Sequence, residues 1–392
     1  MHNAGSGSSA VSAAFAVRND EIRRRYERTI GRSRLEVETP GLILDLDVVR
    51  QNISAMAAWT AGRAKIRPHA KAHKSPQIAR LQVDAGAVGV TCATVWEAAA
   101  ILASGLDGVF IANQVVTPWK LDLLADLSRG RELMVALDSA QGANALSASA
   151  TRAGVELGAL IEVDTGMGRG GVRSRAEARE LALHASRLPG IHVRGLSGWE
   201  GHVALERDRA ARGAAAAVAV TTLAACADEL RDAGIDVDIV SAGGTNTYDL
   251  TGCDPRVTET EAGSYVLMDT SYVLFSPLFK PALSVIGTVT GRHGQRAILD
   301  CGTKSHAVML EPPRTRDRSG TAVEVHEEHA LVDFEGNRMP SIGDHVELIV
   351  SYCSGTVALN EAYHVVEDDH VVDIWPIVGS GVASGSLWGP ER

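Results

Sequence analysis

From Lys65 to about Asp269 the sequence alternates short β-branched or apolar runs with alanine-rich amphipathic stretches of helical length. That alternation is the pattern of βα units around a parallel sheet. The runs read as strands are Lys65–His69, Val88–Thr91, Val109–Ala112, Leu133–Leu137, Leu157–Asp164, His192–Ser197, Val237–Ser241 and a weaker one at Val257–Glu261. Eight such runs predict a closed (β/α)8 TIM barrel, an α/β fold whose chemistry gathers at the C-terminal ends of the strands. Ser75-Pro76 and Thr117-Pro118 precede predicted helices, with proline just inside the first turn. Gly86, Gly105 and Gly234 follow predicted helices, where a left-handed residue ends the turn.

After about Pro277 the pattern becomes alternating strands and turns: 283–302, 322–334, 344–353 and 364–379. These read as a compact antiparallel β-domain. The early run Gly41–Asp47 has a strand pattern of its own and precedes the first barrel helix, so it is expected to pair with that domain. The predicted organisation is a flexible tail at 1–18 and an N-terminal segment at 19–47 pairing with the β-domain. The barrel follows at 48–276 and the C-terminal β-domain at 277–392.

Composition removes several functions. With 38 Lys and Arg against 48 Asp and Glu, the net charge of −10 lacks the basic excess that a phosphate backbone requires, which argues against nucleic acid as a partner. The five cysteines are scattered without a CxxC pair, which argues against a disulfide framework and favours a reducing cytoplasm. The apolar run Gly213–Ala227 is shorter than the roughly 18 residues of a membrane helix and leads into Asp228 and Glu229. The N-terminus places Gly and Ser where a signal peptide has a charged region and an apolar core.

Four clusters could carry chemistry. Arg67, His69, Lys71, His73 and Lys74 lie where the first strand enters its loop, and a lysine among like charges at a half-buried mouth has a lowered pKa suited to Schiff-base formation. The same residues also fit a solvated basic loop. In the segment Ser241–Asp249, Gly243 and Gly244 could leave backbone N–H groups free to approach an anion, with the Thr245 hydroxyl beside them; a plain turn fits as well. Arg169, in the Gly-rich loop of Glu162–Val172, could hold a phenolate or carboxylate, or pair with Asp164 or Glu162. Trp199 and His202 sit at another strand end, where packing is the simpler role.

Together these segments resemble the pyridoxal-phosphate enzymes of alanine-racemase-like fold, in the branch of D-threonine aldolase and D-serine dehydratase. The matching pieces, in the family's order, are Thr39–Ile53, Ile66–Pro76 with its RPHAK and HKSP, Ala112–Val116, Glu162–Val172, Ser241–Asp249, Glu261–Asp269 and Asp373–Ile377. They span nearly all of the chain from about residue 35. The resemblance implies that Lys71 holds pyridoxal 5′-phosphate as a Schiff base and acts as a base at the substrate α-carbon. It implies a cofactor shell of His69, Arg169 near the ring hydroxyl, Trp199, Ser241, a phosphate cradle of Gly243, Gly244 and Thr245, and Tyr265. It also implies a homodimer with shared active sites and an amino acid as substrate.

The branch usually carries a metal site in its β-domain, in a segment similar to H-C-D-P-T-V-N after a GD-x-VEL-I strand. Here Gly343–Ala358 aligns without a gap, and Tyr352 and Ser354 stand at the ligand positions; neither is a good ligand for zinc or manganese. Cys353 is one thiol, and His364 and His370 of the next hairpin are expected at the surface. A divalent metal is therefore not expected. Tyr352, Cys353, His202 and His69 are the acid–base groups that could replace it.

The leading expectation is a lyase acting on D-configured or β-hydroxy α-amino acids, by aldol-type cleavage in preference to dehydration. The runner-up is a racemase or epimerase in which Lys71 takes the α-proton and Tyr352 or Cys353 returns it on the other face. A non-catalytic cofactor carrier is the third reading, which the added β-domain disfavours.

Overall fold

The computed structural model describes residues 6–336 and 339–378. The chain divides into two compact units: one holds 57–71 and 79–263 with the chain up to Phe15, the other Ala16–Met56, Ala72–Ile78 and the chain from Ser264.

The first unit is the barrel. Its strands are β2 (Lys65–Ile66), β3 (Val90–Cys92), β4 (Val109–Ile111), β5 (Leu133–Leu137), β6 (Leu157–Glu162), β7 (Ile191–Gly198), β8 (Ile239–Ala242) and β9 (Glu259–Thr260), counting Gly41–Asp45 as β1. All eight barrel strands run parallel in the order β2-β9-β8-β7-β6-β5-β4-β3. A parallel bridge between His69 and Thr91, and the Val88 N–H donating to the Ile66 carbonyl at 2.9 Å, join the two ends into a closed ring. Phe110, Met134, Ala136, Leu160 and Ile239 form one buried cluster from four of the strands, as in a barrel packed with side chains. At Gly195, φ is +143° and an added Cβ would lie 1.9 Å from the Ile239 carbonyl oxygen; only glycine lets β7 approach β8 there.

The apolar run at 213–227 belongs to a longer helix, Arg209–Asp232. It is long and apolar enough to cross a membrane by composition. Here Ala216, Val220, Leu223, Ala227 and Leu230 are buried as the helix packs on β7 and β8, and Asp208 caps its start.

In the second unit a nine-stranded sheet runs β11-β14-β13-β12-β15-β10-β1-β16-β17. Its strands after β1 are β10 (Leu283–His293), β11 (Arg296–Leu299), β12 (Arg314–Thr315), β13 (Gly320–Val325), β14 (Ala330–Phe334), β15 (His345–Ile349), β16 (Ala362–Glu367) and β17 (His370–Pro376). β1 lies between β10, antiparallel, and β16, parallel. Buried Arg34 ties this arrangement together, donating to Glu347 at 3.0 Å and Asp45 at 3.4 Å, while Arg316 meets Asp45 at 2.6 Å.

Two expectations are corrected here. Residues 6–18, expected as part of a flexible tail, lie in a helix, Ser6–Tyr26. Alanine-rich composition favours helix, and the stretch anchors itself: Phe15 and Ile22 are buried, Ile22 among Val37, Ile43, Ile286 and Ile374, and Tyr26 donates to Glu361 at 2.6 Å. Residues 1–5 lie outside the described residues. His364, expected at the surface, is buried under the Tyr26 ring at 5.3 Å, with Nδ1 3.2 Å from the Leu42 carbonyl, because β16 is an inner strand. His370 is exposed.

Candidate active site

The first strand of the barrel, β2, ends in a 3-10 turn, Ala70–Ala72, which carries Lys71 at the C-terminal face of the sheet. The Lys71 amine is open to solvent at the mouth, yet protein surrounds it closely enough that lost hydration is the main force lowering its pKa. Glu261 opposes that shift and Arg169 adds to it. The like charge Lys71 feels is thus Arg169 across the barrel; its sequence neighbour Arg67 is engaged elsewhere. Arg67 is buried, its Nε and Nη2 donating to Glu259 at 2.9 and 3.0 Å and its Nη1 to the Gly108 carbonyl. His69 is buried under Gly263, with Nδ1 3.4 Å from the Lys71 N–H.

Trp199, just beyond β7, is the aromatic floor of this mouth. Lys71 Nζ lies 5.2 Å and Arg169 Cζ 5.3 Å from its ring centroid, both within cation–π range. A Cβ at Gly244 would stand 3.0 Å from the Trp199 indole nitrogen, and one at Gly201 2.5 Å from the ring, so these glycines admit the indole. Arg169 is half exposed and 3.8 Å from Glu162, whose carboxyl is pushed up by burial and also takes a hydrogen bond from Gln114. Asp164 instead accepts the Gly166 and Gly168 N–H groups and lies 4.0 Å from Arg173. His202 is exposed, its ring 2.9 Å from where a Gly166 Cβ would be.

The loop after β8 departs from expectation in one respect. The Gly243 N–H donates to Glu200 at 3.2 Å and the Gly244 N–H to Thr247 Oγ1 at 3.0 Å, so neither is free for an anion. The glycines there provide shape, with Gly243 at φ +90°. The residue after Thr245 was missed: Asn246 is buried, and neither its N–H nor its Oδ1 has a hydrogen-bond partner among the described residues. Thr245 is buried beside it, and Ser241 donates to Glu261 at 2.8 Å.

Glu200 and Glu261 were also not singled out. Glu200 is fully buried and accepts from both Gly243 and Thr251, the latter at 2.8 Å, which clamps the loop. Burial pushes the Glu261 carboxyl up to about 7, against the Ser241 hydrogen bond and the Lys71 charge.

The remaining candidates belong to the second unit. Tyr265 is buried against Phe279, ring centroids 5.3 Å apart. Tyr352 stands just before the helix Cys353–Leu359 and stacks on Tyr272 at 6.5 Å with an interplanar angle of 9°. Burial raises the pKa of both phenols. Cys353 is fully buried, its N–H donating to Asp269 at 2.8 Å and its thiol held well above the usual range by burial and by Asp269. Among the described residues no group of three or more His, Cys, Asp or Glu is arranged to hold a metal ion.

Residues 44–271 match the family model described as alanine racemase, N-terminal domain, and residues 282–366 match a serine dehydratase domain. The chain is 37% identical to a D-threonine aldolase of Arthrobacter sp over 353 residues, covering 88% of this chain and 93% of that one. It is 30% identical over 368 residues to a 3-hydroxy-D-aspartate aldolase of Paracoccus denitrificans, covering 90% and 94%. The crystal structure of D-threonine aldolase from Filomicrobium marinum superposes with a TM-score of 0.86 at 31% identity, over 90% of this chain and 98% of that one. The chain therefore belongs to the alanine-racemase-like pyridoxal-phosphate-dependent enzymes, in the family of D-threonine aldolase and D-serine dehydratase.

Proposed function

We propose that this protein is a lyase that cleaves D-configured β-hydroxy α-amino acids between Cα and Cβ, releasing glycine and an aldehyde, in preference to eliminating water. The observation that carries the reading is the Lys71 amine, open at the barrel mouth and lowered in pKa, within a chain similar to aldolases over nearly its whole length.

The residues present fit pyridoxal phosphate. An accessible amine on an aromatic floor, a cation at Arg169, and a backbone N–H at Asn246 with no partner among the described residues, beside the Thr245 hydroxyl, suit an aldehyde, a ring oxygen and a phosphate respectively. When bound, that cofactor supplies an electron sink for a bond broken at the α-carbon. Lys71 would hold it and act as base at the α-carbon, while Arg169 and Trp199 would fix the ring. Glu200 holds the Gly243–Gly244 turn in shape, and Thr245 and Asn246 take the phosphate. His69 serves as buried packing behind Lys71, and Tyr265 packs on Phe279 in the second unit. His202 is the group beside the Gly166 loop suited to taking the β-hydroxyl proton, and a homodimer in a reducing cytoplasm completes the reading; all five cysteines are free.

The donor set at 352–354 does not fit a divalent metal. Tyr352 and Ser354 offer a phenol and an alcohol, and the Cys353 thiol is kept protonated. No step is assigned to a metal.

The test incubates the purified protein with D-threonine, D-phenylserine, and L- and D-alanine in D2O. Glycine and aldehyde from the hydroxylated substrates support the lyase. Ammonia and a 2-oxo acid would mean dehydration; α-deuteration with inversion and no aldehyde would mean a racemase using Lys71 with Tyr352 or Cys353. Activity that vanished on chelation and returned with manganese would refute the metal-independent part.

A further inference from the structure

His202 is held from both sides by one neighbouring loop. Two residues before it, the Glu200 carboxylate accepts the Gly243 N–H at 3.2 Å. Two residues after it, the Ala204 carbonyl accepts from Asn246 Nδ2 at 3.1 Å. The chain between these ties is wound into turns, the Val203 N–H donating to the Glu200 carbonyl and the Ala204 N–H to that of Gly201. Val203 is buried while His202 is exposed, so the turn presents the imidazole outward, against Gly166. Further on, Arg212 donates to the Glu206 carbonyl and fixes the exit into the long helix.

Asn246 serves this arrangement with two separate groups. Its backbone N–H has no partner among the described residues and is one of the donors that the proposed function gives to the cofactor phosphate. Its side chain is 1% exposed, and Oδ1 also has no partner among the described residues. Burying an amide oxygen without a partner is costly, and an apolar residue of similar size would avoid that cost. What the asparagine adds is the Nδ2 donor, and its acceptor is Ala204.

Resting on the reading of this barrel as a pyridoxal-phosphate lyase in which His202 takes the β-hydroxyl proton, we propose that Asn246 is a positioning residue that couples phosphate binding to the placement of His202. A phosphate on the Asn246 N–H fixes the backbone there, and the planar amide carries that placement to the Ala204 carbonyl. Glu200 secures the other end of the turn. His202 is thereby set for the β-hydroxyl once the cofactor is seated. Displacing a catalytic group by about 1 Å can cost about 10²-fold in rate, so one hydrogen bond at the base of this turn is enough to matter. Exchange of an α-proton uses Lys71 and does not call on His202, so the coupling acts on reactions at the β-hydroxyl.

The experiment compares wild type, N246A, H202A and the double variant at saturating pyridoxal phosphate. It measures cleavage of D-phenylserine, α-deuteration of glycine in D2O, and hydrogen exchange of the backbone amides of 201–206 with and without the cofactor. In wild type these amides gain protection when the cofactor binds, and in N246A that gain is lost although the cofactor is bound. N246A cleaves D-phenylserine about tenfold more slowly, a larger loss than it shows in glycine deuteration, and adds nothing to the loss already present in H202A. N246S, whose hydroxyl stops short of the Ala204 carbonyl, carries the same test if N246A does not fold. Equal losses in the two reactions, losses that multiply in the double variant, or protection that persists in N246A overturns the inference and leaves the lyase standing. Full cleavage activity in H202A does the same. Wild type that makes no glycine and aldehyde from D-phenylserine overturns the proposed function and the inference together.

Discussion

The Glu200 carboxylate accepts the Gly243 N–H at 3.2 Å while its other oxygen takes the Thr251 hydroxyl at 2.8 Å. A buried acid thus holds both ends of the loop that the proposed function assigns to the phosphate. In E200Q the amide must turn an N–H towards one of two donors. Such a mismatch costs about 2 kcal/mol. Urea denaturation should show that loss, and titration with pyridoxal phosphate should show affinity reduced by about tenfold.

K71A should abolish the visible band and the borohydride adduct and lower lyase turnover beyond the ~10² to 10⁴-fold that a general base contributes. The apoprotein should fold as well as wild type, because Lys71 makes no ion pair among the described residues and its surroundings disfavour its charge. A K71A protein that still bound the cofactor covalently would disprove the assignment.

Much of this architecture was legible in the sequence. The runs near Leu133–Leu137 and His192–Ser197 mark strands because a parallel sheet is buried on both faces and needs continuous apolar segments. Gly41–Asp45 was legible for the same reason, buried throughout between two neighbours. Less was legible at the site. Neighbours in sequence are not neighbours in space on a barrel: Arg67 turns inward to Glu259 while Arg169, about a hundred residues on, meets the same indole as Lys71. Glu200 and Glu261 lay inside the segments noted in the sequence without being singled out, because burial comes from strand register, which spacing does not reveal. The glycine pair was noticed for its N–H groups, whereas its function is to admit Trp199 and fit the Glu200 clamp. The helix at Ser6–Tyr26 was read from its Gly and Ser, although Phe15 and Ile22 were the residues that anchor it.

G195A tests the barrel closure. Its Cβ would lie 1.9 Å from the Ile239 oxygen at a φ of +143°, with backbone on both sides that cannot yield. Backbone strain and a broken β7–β8 contact together should destabilise by about 3 kcal/mol or more. Soluble yield and thermal unfolding measure this. G154A, at a helix end with open space around it and φ +65°, should cost about 1 kcal/mol and serves as the control.

His306 predicts the sign of one contribution to the pH dependence. It is fully buried, neither ring nitrogen has a hydrogen-bond partner among the described residues, and burial pushes its pKa from 6.5 down to about 4. Between those values the unfolded chain takes up a proton that the folded chain refuses, so stability is complete above pH 6.5 and falls as pH drops towards 4. The full span is about 3 kcal/mol. Asp269 and Glu261 work in the opposite direction, since burial raises them to about 6 and about 7, and their ionisation costs stability as pH rises through those windows. The net slope is therefore a sum, and the informative measurement is a difference. Denaturation of wild type and H306N across this pH range should show wild type losing its advantage on acidification, with the two curves parallel above neutrality. A constant difference at all pH values would mean that His306 titrates alike in the folded and unfolded chains.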